Sequence, residues 1–311
     1  MNSELIFLKP VFKSMIWGGD KLKKDFGYDV SGDNIGECWA ISAHPNGDCE
    51  VISGEFRGLK LSELWENHRE LFGGEKGDRF PLLIKILDAK SDLSIQVHPD
   101  NEYARLNENG SLGKTECWYI LDCEKDTTII IGHNAKDKKE LADMIHGGRW
   151  NELIREIPVK KGDFFQIEPG CLHAIKGGTV ILETQQSSDI TYRVYDYDRL
   201  QNGKPRELHI DKSIDVINAP FTPPSFKRTL TEKNGYTAER LIKCEYYTVE
   251  KITTCGKAEI DMDKSFLNIS VIGGSGTVNG ISIKKGSNFI VPSTCEKLIF
   301  EGDLEFIVSY T

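Results

Sequence analysis

The pentapeptide at positions 94–98, Ser-Ile-Gln-Val-His, combines potential metal ligands with the alternation of a β-strand. Because side chains alternate between the two faces of a strand, Ser94, Gln96 and His98 would share one face, and the two aliphatic residues would enter a core. Proline has no N–H to donate, so Pro99 is expected to end the strand. A Gln-x-His pair by itself is more typical of an ordinary surface histidine, so a metal site here requires further ligands.

Glu116 and His173 supply such ligands further along the chain. Together with Gln96 and His98 they give two imidazoles, one amide and one carboxylate, a donor set that suits Zn²⁺. The single carboxylate cancels one of the two positive charges, so the ion would stay a Lewis acid able to polarise a hydroxyl or carbonyl oxygen. Spacing alone leaves three other histidines as substitutes for any of these ligands: His44, His133 and His146.

The chain of 311 residues has the composition of a globular protein, with 39% hydrophobic and 28% charged residues. Its length predicts about two domains. No apolar run reaches the ~18 residues of a membrane span, and residues 1–10 lack the features of a signal peptide, so we expect a cytoplasmic protein. The net charge of −9 argues against nucleic acid or an anionic membrane as partner, but it allows a small anion held by a local cluster of Lys and Arg.

Eight cysteines are scattered along the chain without a Cys-x-x-Cys pair. In a long chain without an export signal, they are expected to be reduced and mostly buried. A zinc site built from thiolates is therefore not expected.

Short apolar runs between Gly, Asn and Asp turns predict an antiparallel β sandwich or barrel over most of the chain. Further strands are predicted at 81–87, 113–121, 164–167, 171–175, 179–184 and 191–195. Helical spacing predicts helices at about 60–72 and at 100–109. A polar helical segment at about 135–157 is interpreted as a small insertion in this β-rich chain.

A loop-rich stretch with four prolines, at 202–227, bridges two predicted units. The first, 1–235, would contain the metal site, and the second, 236–311, would be β-rich. An internal repeat supports two related units, because Lys-Lys-Gly at 160–162 recurs at 284–286.

The repeat also predicts that the second unit lacks a metal. Cys171 is echoed by Cys295, and the same gapless alignment places Lys297 opposite His173. No histidine follows His209. The second unit is therefore expected to keep the framework but not the ligands.

Four segments resemble the active-site segments of type I mannose-6-phosphate isomerases: 93–104, 113–119, 170–175 and 185–199. The resemblance implies a mainly β fold with two cupin-type jelly-roll β-barrels and a small helical insertion. It also implies one Zn²⁺ per chain, held by residues matching Gln96, His98, Glu116 and His173. An essential arginine of the family matches Arg193.

The implied reaction interconverts mannose 6-phosphate and fructose 6-phosphate through a cis-enediol. It needs a base, a group that stabilises the enediolate oxygen, and a grip on the phosphate. Arg193 is permanently charged and planar, which suits the enediolate oxygen and substrate binding. Lys114 shares a predicted strand face with Glu116 and should approach the metal. The candidates for the phosphate are Ser94, Lys85 and Lys114.

Glu183 and Asp189 are both candidates for the proton-transfer base, and His44 is a third. The sequence does not choose among them. Arg193 could instead form a structural ion pair, with Asp189, Asp196 or Asp198 as the available carboxylates.

Two other functions are compatible with the residues. Two histidines and one carboxylate also describe a non-haem iron oxygenase, although Gln96 as a fourth ligand and the nearby cations disfavour it. A non-catalytic cupin would bind a sugar phosphate without turnover. We expect the chain to be a monomer or a weak homo-oligomer.

Overall fold

The computed structural model describes residues 4–311, which are mainly β. The strands are β1 (Ile6–Lys9), β2 (Val11–Gly19), β3 (Ile35–Ile41), β4 (Glu50–Val51), β5 (Leu82–Ala89), β6 (Ile95–Val97), β7 (Glu116–Cys123), β8 (Thr128–His133), β9 (Ile154–Pro158), β10 (Phe164–Ile167), β11 (His173–Ile175), β12 (Thr179–Gln186), β13 (Tyr192–Tyr195), β14 (Leu200–Gln201), β15 (Lys204–Pro205), β16 (Thr229–Lys233), β17 (Tyr236–Lys243), β18 (Thr248–Thr254), β19 (Lys257–Asp261), β20 (Leu267–Val278), β21 (Ile281–Lys284), β22 (Asn288–Val291) and β23 (Lys297–Tyr310). The helices are α1 (Lys21–Lys24), α2 (Leu61–Asn67), α3 (Asn101–Asn107), α4 (Lys138–His146), α5 (Trp150–Leu153) and α6 (Ile210–Val216), and a 3-10 helix at Arg69–Phe72 follows α2.

Two antiparallel sheets form the first unit. Six strands lie in the order β10-β7-β12-β5-β2-β3, and five in the order β13-β6-β11-β8-β9. A hydrophobic cluster contains Leu87 and Trp118 of the six-stranded sheet together with Ile129 and Ile175 of the five-stranded sheet. The sheets therefore face each other across a shared core, and side chains from both can meet between them.

The five-stranded sheet buries its other face against helices. Ile95 and Val97 of β6 pack in a second cluster with Leu141 of α4 and Leu153 of α5. This confirms the predicted alternation of β6, because its aliphatic residues enter a core on the face opposite to Gln96. The predicted helix at 100–109 is also present as α3, where the Asp100 carboxylate accepts a hydrogen bond from the Tyr103 N–H at 2.8 Å.

The predicted helix at 135–157 is wrong in its last residues. Helix α5 ends at Leu153, and 154–157 belong to β9, which pairs antiparallel with β8. Ile154 and Ile157 lie opposite His133 and Ile129 of β8. These β-branched residues extend the sheet edge, and this pairing overrides a weak helical pattern. The loop-rich stretch at 202–227 likewise contains a helix that was not predicted, α6.

The second unit is one ten-stranded sheet with the path β16-β17-β18-β23-β20-β22-β1-β4, to which β19 and β21 add. Two strands of this sheet, β1 and β4, belong in sequence to the predicted first unit. The sheet also crosses the division predicted at 235/236, because β16 pairs with β17. That division stays a prediction.

The internal repeat is visible in the backbone. Gly162 and Gly286 both have positive φ, at 88° and 92°, and each ends a turn before a matching four-residue strand, β10 or β22. In the second unit, Lys297 is exposed and forms an ion pair with Glu259, while Leu298 occupies the buried place beside it. An aliphatic residue cannot ligate a metal, and a metal-free second unit stays a prediction.

All eight cysteines are free thiols in the structure. Among the described residues, no helix is both long and apolar enough to cross a membrane.

An aromatic cluster joins the two units. Phe266, which precedes β20, is 1% exposed, and its ring centroid lies 5.4 Å from Phe72, 5.5 Å from Phe80 and 6.3 Å from Trp65.

We expect Phe266→Ala to lower the free energy of unfolding by about 3–5 kcal/mol, because it opens a cavity in this cluster. Urea unfolding measures the loss of stability, and Leu230→Ala is the control variant because Leu230 is 61% exposed. Equal stability of the two variants would contradict a shared core.

Candidate metal and substrate site

Backbone carbonyls fix the orientation of two imidazoles between the sheets. Nδ1 of His98 lies 2.8 Å from the Ile190 carbonyl oxygen, and Nδ1 of His173 lies 2.8 Å from that of Cys171. A carbonyl oxygen only accepts, so each Nδ1 carries a proton and donates it. Each Nε2 is then left with a free lone pair, the arrangement typical of metal-binding histidines.

The free nitrogens converge on one point together with Glu116. The two Nε2 atoms are 3.1 Å apart, and each lies 3.4 Å from a carboxylate oxygen of Glu116. The Gln96 amide is 3.4 Å from Nε2 of His173. Ligand atoms ~2.0–2.2 Å from a tetrahedral zinc would be separated by about 3.3 Å, so the spacing fits a cation of this kind.

The protonation of these groups supports the same interpretation. Burial, followed by the charge of Lys114, lowers the pKa of His98 to about 3, and burial also lowers the pKa of His173. Both imidazoles are therefore neutral, and two neutral Nε2 acceptors cannot hydrogen-bond each other. Glu116 is fully buried, and neither of its oxygens accepts a hydrogen bond of good geometry. A cation at the centre would satisfy all of these acceptors.

Opposite sheets deliver the ligands. In the five-stranded sheet, β6 lies between β11 and β13, so Gln96 has His173 on one side and Arg193 on the other. In the six-stranded sheet, Glu116 of β7 lies opposite Gln185 of β12. Among residues 4–311, one group of His, Cys, Asp or Glu side chains lies close enough together to hold a metal. It consists of His98, Glu116 and His173.

The other histidines are occupied elsewhere. Nε2 of His133 lies 2.8 Å from the Asn218 carbonyl oxygen, and its Nδ1 accepts a hydrogen bond from the Ala135 N–H. His146 is exposed at the end of α4. His44 lies 3.4 Å from the carboxylate of Asp189 and outside the metal cluster.

A cavity of about 210 Å³ opens beside this cluster. Six of the predicted catalytic and substrate-binding residues line it: Lys85, Ser94, Lys114, Glu183, Asp189 and Arg193. The third candidate base, His44, does not line it. Gln96 lies in the same wall. Sequence reasoning missed two charged residues of the wall, Glu37 and Arg206. Glu37 stands alone among apolar residues of β3, and that signal could have identified it.

Both lysines of the cavity are paired with buried carboxylates. Nζ of Lys114 lies 2.8 Å from Glu116, and Nζ of Lys85 lies 3.4 Å from Glu183, which also accepts a hydrogen bond from the Trp118 indole at 3.0 Å. Although burial alone would raise the pKa of Glu116, Lys114 and His98 hold it well below the usual range. Burial and the charge of Glu116 raise the pKa of Glu183.

Arg193 has no carboxylate partner in the part of the chain that the structure describes. Its Nη1 donates to the Glu207 carbonyl oxygen at 2.6 Å, and its buried Nε has no hydrogen-bond partner. The carboxylates considered as its structural partners are engaged elsewhere: Asp189 with Asn46, Asp196 with Arg199 and Arg206, and Asp198 with Tyr195. Arg193 thus lies at the cavity wall without an ion-pair partner in residues 4–311, although the charges of Asp196 and Glu207 still favour its charged form.

Two family models match the chain. Residues 5–144 match the catalytic domain of type I phosphomannose isomerase, and residues 237–311 match the cupin domain of mannose-6-phosphate isomerase. The mannose-6-phosphate isomerase ManA of Bacillus subtilis is 51% identical over 315 aligned residues, which cover 100% of both chains. The mannose-6-phosphate isomerase of Streptococcus mutans is 46% identical over 99% of both chains.

A solved structure has the same fold over almost the whole chain. The crystal structure of a mannose 6-phosphate isomerase from Bacillus subtilis superposes with a TM-score of 0.97, at 49% sequence identity, and covers 99% of each chain.

The convergent acceptors predict one tightly bound divalent metal ion per chain. Substitution of His98, Glu116 or His173 by Ala should remove metal and activity together, because each change deletes a ligand. Gln96→Ala should be milder, because a neutral amide oxygen is the weakest donor and water can replace it. Elemental analysis of stripped and reloaded protein measures this.

The exposed His146→Ala is the control and should keep its metal. If His173→Ala kept full metal content and rate, the ligand set would be wrong. Two tightly bound equivalents in the unsubstituted protein would contradict a metal-free second unit.

Proposed function

Because the chain belongs to the type I mannose-6-phosphate isomerase family and is an enzyme of that activity, we propose that it works with one zinc ion and through a cis-enediol. The observation that carries this proposal is the convergence of two neutral imidazoles and a buried carboxylate, whose two oxygens each lie 3.4 Å from an imidazole nitrogen, on one point. A donor set of two nitrogens, one carboxylate and one amide favours Zn²⁺ over Mg²⁺ or Ca²⁺, which prefer all-oxygen sites. When bound there, zinc would supply a Lewis acid that polarises the sugar oxygens.

Glu183 is the proposed base. It would take the proton from C2 of open-chain mannose 6-phosphate and return it to C1, while a proton passes from the C2 oxygen to the C1 oxygen. Its burial supports this role, because a carboxylate with a raised pKa is a stronger base. Lys85, 3.4 Å away, favours its ionised form and lies where it can also contact the substrate.

Lys114 is proposed to donate hydrogen bonds to the reacting oxygens. Burial opposes its charge, but Glu116 and Glu183 raise its pKa, so the ammonium stays protonated and acts as a donor. Ser94 lines the same cavity and can hydrogen-bond a sugar hydroxyl. For Asp189 we propose a positioning role, because its oxygens already accept from Asn46 and face His44.

Arg193 is proposed to stabilise the enediolate oxygen. Its guanidinium is half-buried, has no carboxylate partner in residues 4–311 and keeps an unpartnered Nε. A fixed charge of this kind is worth more in a water-poor site than in solution, because the local dielectric constant is low.

The direct test of the proposal is a coupled assay for fructose 6-phosphate formed from mannose 6-phosphate. Activity should be lost after treatment with a chelator and restored by one equivalent of Zn²⁺. Full activity in metal-free protein would exclude zinc dependence. The iron oxygenase alternative predicts bound iron with oxygen uptake, and the binding module predicts binding without turnover. The cytoplasmic location and the monomeric or weakly oligomeric state remain predictions.

Arg193→Ala should keep its metal and its melting temperature and lose about 10²–10³ in kcat, the usual effect of removing one oxyanion donor. Arg193→Lys should recover little, because an ammonium cannot reproduce the planar fork. Measuring kcat, bound metal and melting temperature on one preparation distinguishes a catalytic role of Arg193 from a structural one. A lowered melting temperature with near-normal kcat would support a structural role instead.

Glu183→Gln should lose about 10²–10⁴ in kcat, the usual contribution of a general base, and Asp189→Asn should lose less. A second measurement is specific for the base, because mannose 6-phosphate deuterated at C2 should stop exchanging its label with water in Glu183→Gln. If Asp189→Asn abolished exchange and Glu183→Gln did not, the two roles would be reversed.

A further inference from the structure

We propose that Arg206 binds the phosphate group of the substrate and thereby selects phosphorylated sugars. This inference rests on the proposed function, since it assumes that the sugar reacts in the cavity beside the metal cluster. Arg206 lines that cavity, and its side chain is 12% exposed. The residues given roles above do not include it.

The charges of the cavity favour the arginines over the lysines as the phosphate site. Lys85 and Lys114 are each neutralised by a buried carboxylate, Glu183 and Glu116. Arg206 shares its carboxylate, Asp196, with a second arginine, Arg199. Two cations on one carboxylate leave a net positive charge.

Arg193 adds a further positive charge to the wall of the same cavity. Burial and the charge of Arg206 lower the pKa of Arg193, although the charges of Asp196 and Glu207 act in the opposite direction. Arg206 is therefore the proposed phosphate contact, and Arg193, assigned above to the enediolate oxygen, adds positive charge to the same cavity. Glu37 and Asp189 also line the wall and keep their negative charges, but the four cations of the wall, Lys85, Lys114, Arg193 and Arg206, outnumber its three carboxylates, Glu37, Glu183 and Asp189.

The position of Arg206 also fits the shape of the substrate. The phosphate is on C6, while the reaction takes place at C1 and C2, so phosphate and reacting carbons lie at opposite ends of the sugar. Lys114 contacts the metal ligand Glu116, and Lys85 contacts the proposed base Glu183, which places both lysines at the reacting end. Arg206 makes no hydrogen bond or ion pair to those groups.

Asp196 holds Arg206 in place without using all of its donors. Nε and Nη2 of Arg206 donate to the two oxygens of Asp196 at 2.7 and 2.5 Å. Nη1 has no hydrogen-bond partner in residues 4–311, so it can bind an anion. Arg199 supports Asp196 from its other side and also donates to the Asp92 carbonyl oxygen. Burial would raise the pKa of Asp196, but Arg206 and Arg199 lower it, so the carboxylate stays ionised.

Asp196 follows β13, the strand that carries Arg193, and it therefore positions Arg206 relative to that residue. A guanidinium that is already oriented loses little side-chain entropy when it binds phosphate. This is the arrangement expected of an anchor for a planar, multidentate contact.

Arg206→Ala tests the inference against a matched control. Arg199→Ala removes an arginine from the same carboxylate, but Arg199 does not line the cavity. The measurements are KM and kcat for mannose 6-phosphate, the Ki of inorganic phosphate as a competitive inhibitor, and the melting temperature. Arg206→Ala should raise KM and Ki by about tenfold to a hundredfold, the loss of one charge-assisted hydrogen bond, with a smaller change in kcat.

Arg206→Lys should give intermediate values of KM and Ki, because it keeps the charge without the fork, and it serves if the alanine variant does not fold. Arg199→Ala should lower the melting temperature and change KM and Ki less than Arg206→Ala does, because it removes a charge beside Asp196 but no contact with the phosphate. The inference is overturned if Arg206→Ala and Arg206→Lys change KM and Ki no more than Arg199→Ala does. The proposed function fails separately, if the unsubstituted protein does not isomerise mannose 6-phosphate or does so without metal.

Discussion

The structure depends on a group of acceptors that cannot satisfy one another. Two neutral imidazole nitrogens lie 3.1 Å apart, and both oxygens of a fully buried Glu116 face them, with the Lys114 ammonium beside only one of these oxygens. Desolvating such groups costs several kcal/mol unless a cation compensates them. The surrounding fold makes this arrangement possible, because Nδ1 of each histidine is held by a backbone carbonyl and the ligands come from two sheets packed face to face.

The distribution of charge in the cavity follows from the same constraint. Each lysine of the cavity lies beside a buried carboxylate, and its charge favours the ionised form of Glu116 or Glu183. The arginines lie on the side of β13 and carry the surplus charge. A chain with a net charge of −9 can in this way bind an anionic substrate, because the local field of a partly enclosed cavity outweighs the distant surface charge.

The sequence predicted the features that depend on local order. The alternation around Gln96 could be read directly, and so could the turn glycines of the repeat. Features set by distant contacts could not be read in this way. The strand at 154–157 forms because β8 offers a free edge, and Arg206 reaches the cavity because Asp196 holds it, although no local pattern marks either. The choice among the histidines needed the resemblance as well, since spacing alone did not distinguish His173 from His133.

The position of β1 has a consequence for how the chain is made. This strand pairs with β22, so that Ile6 lies opposite Ile290, a residue far from it in sequence. During synthesis on the ribosome, β1 is therefore made long before its partner β22 exists. The last unit expressed alone would leave the buried strand β22 without one neighbour and present an apolar, unpaired edge to other molecules. The pairing of β1 with β22 therefore links the two units, and pairing between strands so far apart in sequence is slow to form.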